Sequence, residues 1–259
     1  MFKFSIEKGG EIYKCPTKLE EVTLQKFIDY CALERDFMPH ELKQVAKLYE
    51  DLNGVGNQQD VILIEEEIDV LLEKINSMEY AETLLSWYAR VVDFWTGLPF
   101  DMIMARDGGD GMNVDQLKAL YLQTQKLLIP PDRPVYTKEN PYSNVLEHEG
   151  AIWYLPDRYM MDSKTIDYLE SSAFYKLAEE LAGGQWGVFG KIMCCLVRKK
   201  DEKYSKDLYK REGDFLQWPM NKCYQVAFFL MKRMHKLNVA SQTYTTAQAT
   251  VKLRQALKI

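Results

Sequence analysis

Histidine is scarce in this chain, with three in 259 residues. His40-Glu41 and His148-Glu149 each open the pattern H-E-x-x-H, but Gln44 and Ile152 stand where the second histidine belongs. His235 lies between basic residues with no second histidine at helical spacing, so a zinc helix of that type is excluded. A phosphate loop of the form G-x-x-x-x-G-K-[S/T] is also missing. The acidic turn Asp107-Gly108-Gly109-Asp110-Gly111 fails as an EF-hand. Gly109, Gly111 and Lys118 occupy its third, fifth and twelfth positions, where oxygen ligands are needed. It reads as a flexible loop. No cofactor is expected.

Cysteines number five, an odd count, and none forms a C-x-x-C pair. Cys194 and Cys195 are adjacent in an apolar helical run, where a thiol packs as a small hydrophobe. The expectation is reduced, structural thiols in a reducing compartment, with Cys15, Cys31 and Cys223 alike. Long apolar runs are lacking too. Val226 to Met231 is far too short to cross a bilayer, so no membrane partner is expected. The start of the chain has Glu7 close to Met1 and no apolar h-region, which predicts no signal peptide.

Acid disappears at one end. Between Phe215 and Ile259 there is no Asp or Glu, while Lys222, Lys232, Arg233, Lys236, Lys252, Arg254 and Lys258 give +7. The chain as a whole carries −5, which leaves −12 on residues 1–214. Such asymmetry favours contact between the basic end and an acidic surface, its own or another subunit's. A set of solvated lysines is the plain alternative. Lys232, Arg233, Lys236, Lys252, Arg254 and Lys258 are the candidate partner-binding residues. The other basic stretch, Arg198-Lys199-Lys200, is interleaved with Asp201, Glu202, Asp207 and Glu212, unlike the one-signed face of a nucleic-acid footprint. Contact with nucleic acid stays open only through the C-terminal end.

What is present is apolar and aromatic. The chain is 47% hydrophobic with 16 Tyr, 11 Phe and 5 Trp, enough for a sizeable core and against global disorder. One short pattern occurs twice, 140 residues apart: Glu7 to Pro16 and Glu147 to Pro156 share Glu, Gly, Ile and Pro, with Tyr13 opposite Trp153. Ile28-Asp29-Tyr30 and Ile166-Asp167-Tyr168 follow the two copies. Alternation of Phe2, Phe4 and Ile6, a Lys8-Gly9-Gly10 turn and a returning Ile12-Tyr13 predict a hairpin closed by Pro16. A second hairpin is predicted around Glu149-Gly150.

Helical periodicity dominates the rest. Thr23 is the predicted N-cap of a helix burying Leu24, Phe27, Ile28 and Cys31. Pro39 opens the next helix, Asn53-Gly54 stops it, and 53–60 reads as a loop. Val61 to Ile64, β-branched at Val61, Ile62 and Ile64, could form a short strand, with helical period only from Glu65. Tyr80 to Thr96 is the strongest helix of the first half and ends at Gly97. Leu98-Pro99 opens a short helical segment. Asn113 with Gln116 forms a capping box for the helix carrying Leu117, Leu120 and Leu127. Pro130 to Pro141 reads as a linker. A helix capped near Asp162 or Ser163 follows the second hairpin. Further helices are predicted over about 185–198, 204–217 and 219–237, and then a tail that is mobile or orders only on a partner.

The fold expected from these signals is mainly α, in two related halves, each a β-hairpin followed by a helical bundle. The halves are 1–130 and 142–238, joined by a linker at 131–141 and followed by a basic tail at 239–259.

The order of these signals resembles a group of bacteriophage tail and baseplate assembly proteins, of the tail-assembly-chaperone kind found in phages of gut bacteria. The opening Ile12-Tyr13-Lys14-Cys15-Pro16, leading to Val22 through Tyr30, carries the likeness first. Trp95-Thr96-Gly97-Leu98-Pro99, the helix around Leu117 to Leu128, Ile166-Asp167-Tyr168 and Ala227-Phe228-Phe229-Leu230 carry it further. Where that group has an apolar run followed by Tyr-Arg-Pro, this chain has Cys194-Cys195-Leu196-Val197-Arg198-Lys199. The resemblance implies a protein with no enzymatic activity. It would be an assembly chaperone or a virion part, in the host cytoplasm during assembly or in the particle. Its partners would be other tail, baseplate or neck proteins, with a homo-oligomer as one option. Two rivals remain open: an internal virion protein packaged with the genome, its basic end meeting DNA, and a host-directed enzyme or inhibitor using Asp107, Asp110 or a cysteine.

Overall fold

A computed structural model describes residues 5–8, 11–105, 112–128, 145–155, 184–200, 202 and 205–227. The described residues are mainly helical. The chain divides into two compact units, residues 1–21 with 29–129 and residues 22–28 with 130–259.

In the first unit, β1 (Ser5–Lys8) and β2 (Glu11–Lys14) pair antiparallel, with Ile6 opposite Tyr13 and Glu7 opposite Ile12. Helix α1 (Leu24–Phe37) starts in the second unit and ends in the first. Its cap is the predicted one: the Thr23 hydroxyl accepts from the Lys26 N–H at 3.2 Å. Leu24 and Phe27 are buried as expected, with Ile28 and Cys31 partly so.

Helix α2 (His40–Gly54) begins directly after Pro39. Helix α3 (Gln58–Ile75) corrects the expectation for this region. The loop is only residues 55–57, and Val61 to Ile64 is helix, not strand. Asn57 decides the start, its side chain accepting from the Gln59 N–H at 3.1 Å. The inward face then runs Val61, Ile64, Ile68, Leu71 and Ile75, with Ile68 and Ile75 buried and the others half-buried, a helical period that already includes Val61 and Ile64. Val45, Ile75 and Tyr80 form the core of this α2–α3 pair, with Leu42, Leu71, Leu72 and Leu84 against them.

Helix α4 (Ala81–Thr96) is the centre of the first unit, with Trp87, Val91, Val92 and Trp95 buried. It ends as expected at Gly97, whose φ of 74° is left-handed and whose N–H donates to the Asp93 carbonyl at 2.7 Å. The Thr96 hydroxyl donates to the Val92 carbonyl at 2.6 Å and accepts from the Leu98 N–H at 3.1 Å, which fixes the turn. Helix α5 (Phe100–Ile103) follows Pro99. Helix α6 (Val114–Leu128) carries the capping box: the Asn113 side chain accepts from the Gln116 N–H at 2.8 Å, and Gln116 accepts from the Asn113 N–H at 3.4 Å. Cys15, Ala89, Val92, Leu98, Leu117 and Leu120 share one core, so the strand end, α4 and α6 are packed together.

In the second unit, β3 (Val145–His148) and β4 (Ala151–Tyr154) stand 140 residues after β1 and β2, strand for strand. Their turn has positive φ at Glu149 (49°) and Gly150 (71°), the backbone of a tight two-residue hairpin. β5 (Arg198–Lys199) adds a third strand, pairing Trp153 with Lys199 and Tyr154 with Arg198. The single helices expected over 185–198 and 204–217 are corrected here. The first is a 3-10 turn (Gly184–Val188), then α7 (Phe189–Leu196), then β5. The second is a 3-10 turn (Lys206–Arg211) followed by α8 (Glu212–Leu216). Residues 220–227 are helical.

Phe27 meets Trp186 edge-on at 5.4 Å, and Trp186 meets Tyr224 and Phe189 at 5.1 Å each. Trp218 meets Phe215 at 5.1 Å and Trp153 at 5.4 Å. The Leu24 N–H donates to the Trp218 carbonyl at 2.9 Å, and the Met220 N–H to the Val22 carbonyl at 2.8 Å. The expected linker at 131–141, the helix near Asp162 and the tail at 239–259 lie outside the described residues.

Candidate interaction site

The outward side of α3 is the most unusual surface of the first unit. With Val61, Ile64, Ile68 and Ile75 turned to the core, the helical period leaves Ile62, Leu63 and Val70 outside. They are 43%, 56% and 66% exposed. Leu63 and Val70 are seven residues apart and fall nearly in line along the helix. Ile62 heads the adjacent row, which continues through Glu66, Asp69 and Glu73. Over its length α3 bears Asp60, Glu65, Glu66, Glu67, Asp69 and Glu73 against Lys74. Lys74 is engaged by Glu41 at 2.7 Å. The face therefore offers branched apolar side chains between carboxylates, a surface suited to a segment that alternates apolar and basic residues.

A cleft of about 630 Å³ in the same unit is lined by Phe37, Pro39, Glu79, Glu82, Arg90 and Phe100 among others. The Arg90 guanidinium lies 5.0 Å from the Phe37 ring and 5.2 Å from the Phe100 ring. Arg90 is thereby held as a flat cation between two aromatic faces. Its walls mix both signs of charge and name no single ligand.

A polar chain runs through the interior of the same unit. The Gln125 amide donates to the Tyr30 hydroxyl at 2.9 Å. Tyr30 in turn bonds the Glu34 carboxylate. Burial raises Glu34 above the ordinary carboxylate value, and the Tyr30 bond opposes the shift. Burial also drives the Tyr30 hydroxyl far above its usual range, with the Glu34 charge adding to it. Tyr121 stacks on Tyr88 at 4.0 Å. Trp87 Nε1 is buried without a close acceptor, and the Tyr121 hydroxyl is its polar neighbour. These groups tie α1, α4 and α6 together.

In the second unit, Lys199 Nζ lies 5.3 Å and the Arg211 guanidinium 5.7 Å from the Trp153 ring. Glu202 pairs with Arg211 and accepts from the Lys199 N–H at 2.9 Å. The basic stretch read from the sequence is thus bound to its own acid and to an aromatic ring, in keeping with the mixed charges there.

The residues singled out from sequence fare unevenly. Lys232, Arg233, Lys236, Lys252, Arg254 and Lys258 lie outside the described residues, as do Asp107 and Asp110. Glu41 of the His40-Glu41 pair serves the fold: it holds Lys74, and its other oxygen accepts from the Tyr80 hydroxyl at 2.9 Å. His148 lies 4.5 Å from the Trp218 ring. None of the five cysteines is in a disulfide, and Cys15, Cys194, Cys195 and Cys223 are buried. Burial pushes Cys31 up to about 11, and Cys194 and Cys223 up to about 12. Among the described residues, no His, Cys, Asp or Glu cluster of metal-binding kind occurs, and no helix is long and apolar enough to cross a membrane. Sequence reading missed the α3 face and the Tyr30–Glu34–Gln125 chain.

No family model, curated protein or solved structure matches the chain.

Proposed function

We propose that this protein is a non-enzymatic bacteriophage protein acting in tail or baseplate assembly through contacts with other proteins. In this reading the chain is two related halves, each a hairpin followed by helices. It works in the host cytoplasm during assembly and then leaves or enters the particle. Its partners are tail, baseplate or neck proteins, with self-association as a further contact. The observation that carries the reading is the α3 face, where Ile62, Leu63 and Val70 stand exposed among carboxylates. Branched apolar side chains grouped on one outward face mark a surface that gains by being covered. The two hairpins, 140 residues apart and alike in strand length, support the two related halves, and the order of short motifs supports the phage assignment.

The test is quantitative mass spectrometry of purified particles from the source, referred to the major capsid protein. A stoichiometric copy number makes the protein a virion component, and abundance in infected lysate without particles makes it an assembly factor. Absence from all phage material removes the reading.

The acid-free end from Phe215 onward favours one second reading, an internal virion protein that meets packaged DNA. Retention of the purified chain on duplex DNA, falling steeply with salt, would carry it, because phosphate contacts release counterions. Failure to bind at low salt would remove it.

A further inference from the structure

We infer that the outward face of α3 receives the basic C-terminal segment, residues 251–259, of a second copy of this chain. The inference rests on the assembly reading and names one partner within it. The face is defined by Leu63 and Val70 in one row and by Ile62, Glu66, Asp69 and Glu73 in the next. The segment reads Val251-Lys252-Leu253-Arg254-Gln255-Ala256-Leu257-Lys258-Ile259. It offers branched apolar side chains in alternation with Lys252, Arg254 and Lys258, and no acid occurs anywhere after Asp214 to compete for them.

Both components of the match are therefore present on every copy. The apolar side chains cover Ile62, Leu63 and Val70, and this burial supplies the attraction. The cations meet the α3 carboxylates at the rim, which fixes register and speeds encounter. An acidic face and a basic end are unlike patches, so copies join either head to tail in series or as a pair that exchange ends reciprocally. A rim of exposed charge is also screened by salt, so the association weakens as ionic strength rises.

The experiment is sedimentation velocity on the full-length chain across concentration, at low and at high salt. Two charge-reversed chains accompany the wild type. One carries Glu66→Lys, Asp69→Lys and Glu73→Lys on the face. The other carries Lys252→Glu, Arg254→Glu and Lys258→Glu at the end. Wild type is expected to associate with rising concentration, at least about tenfold more weakly in high salt. Each reversed chain alone is expected to stay monomeric, since its face and end now bear the same sign. An equal mixture of the two is expected to associate again, because each face then meets an end of opposite sign.

A monomeric wild type at every concentration overturns the inference, as does a tail-reversed chain that associates like wild type. That second result needs no change on α3, so misfolding of the face variant cannot obscure it. Particles that contain the protein while the pure chain stays monomeric would sink the inference and leave the assembly reading standing. Self-association that follows the charge pattern, in a protein absent from all phage material, would do the reverse.

Discussion

The Tyr80 hydroxyl donates to Glu41 Oε2 at 2.9 Å, linking the start of α2 to the turn before α4. Lys74 at the end of α3 holds the other oxygen at 2.7 Å. Lys74 first, then backbone donors and Tyr80, bring Glu41 down to about 2 from its ordinary 4.5. A depressed carboxylate stabilises the fold above its unfolded value, and that contribution is lost as pH falls through the folded one. The window is therefore pH 4.5 down to about 2. Glu41→Gln should flatten the fall in melting temperature across this window, and an unchanged slope would refute the assignment. Lys74 is 59% exposed, so the ion pair itself is screened and adds little. Tyr80→Phe, which leaves that pair in place, should cost about 1.5 kcal/mol in urea unfolding through the lost bond to a charged acceptor.

Glu34 gives the opposite sign. Burial among Tyr30, Cys31 and Tyr121 raises it above 4.5. The folded chain then keeps a proton that the unfolded chain has released. Stability falls as pH rises from 4.5 through the folded value. Glu34→Gln keeps an acceptor for Tyr30 but cannot ionise, so its melting temperature should vary less with pH in this range. Identical pH profiles for variant and wild type would rule this out. The two glutamates act on opposite sides of pH 4.5, so each is measurable without removing the other.

How much of this was legible in the sequence depends on the distance over which each feature is decided. Thr23, Asn113 with Gln116, and Gly97 bond to groups within four residues, and all three were readable as helix ends. Both hairpins were readable from alternation and turn glycine. Val61 to Ile64 was misread because β-branching is a weak local preference, whereas packing on α2 selects one helical face. The two-residue strand β5 has only Arg198 and Lys199 to announce it. Its pairing with Trp153 and Tyr154 bridges more than forty residues and leaves no local signal. The Tyr30–Gln125 bond spans 95 residues and was invisible for the same reason. Ile62, Leu63 and Val70 were visible as apolar residues, but only the contact of α2 with α3 decides that they point outward.

Gly97 isolates a backbone effect. Its φ of 74° is left-handed, yet an added Cβ would meet only the Tyr13 ring at 4.0 Å, an ordinary contact. Gly97→Ala therefore carries conformational strain without a clash and should cost about 1 kcal/mol. Chemical denaturation measures it. A loss several times larger would mean that the turn between α4 and α5 depends on more than its φ.

The cysteines give a labelling pattern that follows burial. Cys15, Cys194, Cys195 and Cys223 are buried, and Cys31 is partly exposed. The thiolate is the reacting species, and burial holds Cys194 and Cys223 at about 12 and Cys31 at about 11. All five should label slowly in the native protein near neutral pH, with Cys31 first. In denaturant the five should react together at the rate of free thiols. Cys31→Ser should remove the fastest native phase and leave the slow one, read by a colorimetric thiol reagent. Rapid native labelling of Cys194 or Cys195 would show that α7 opens readily. A structural role for those thiols would then have to be given up in favour of a reactive one.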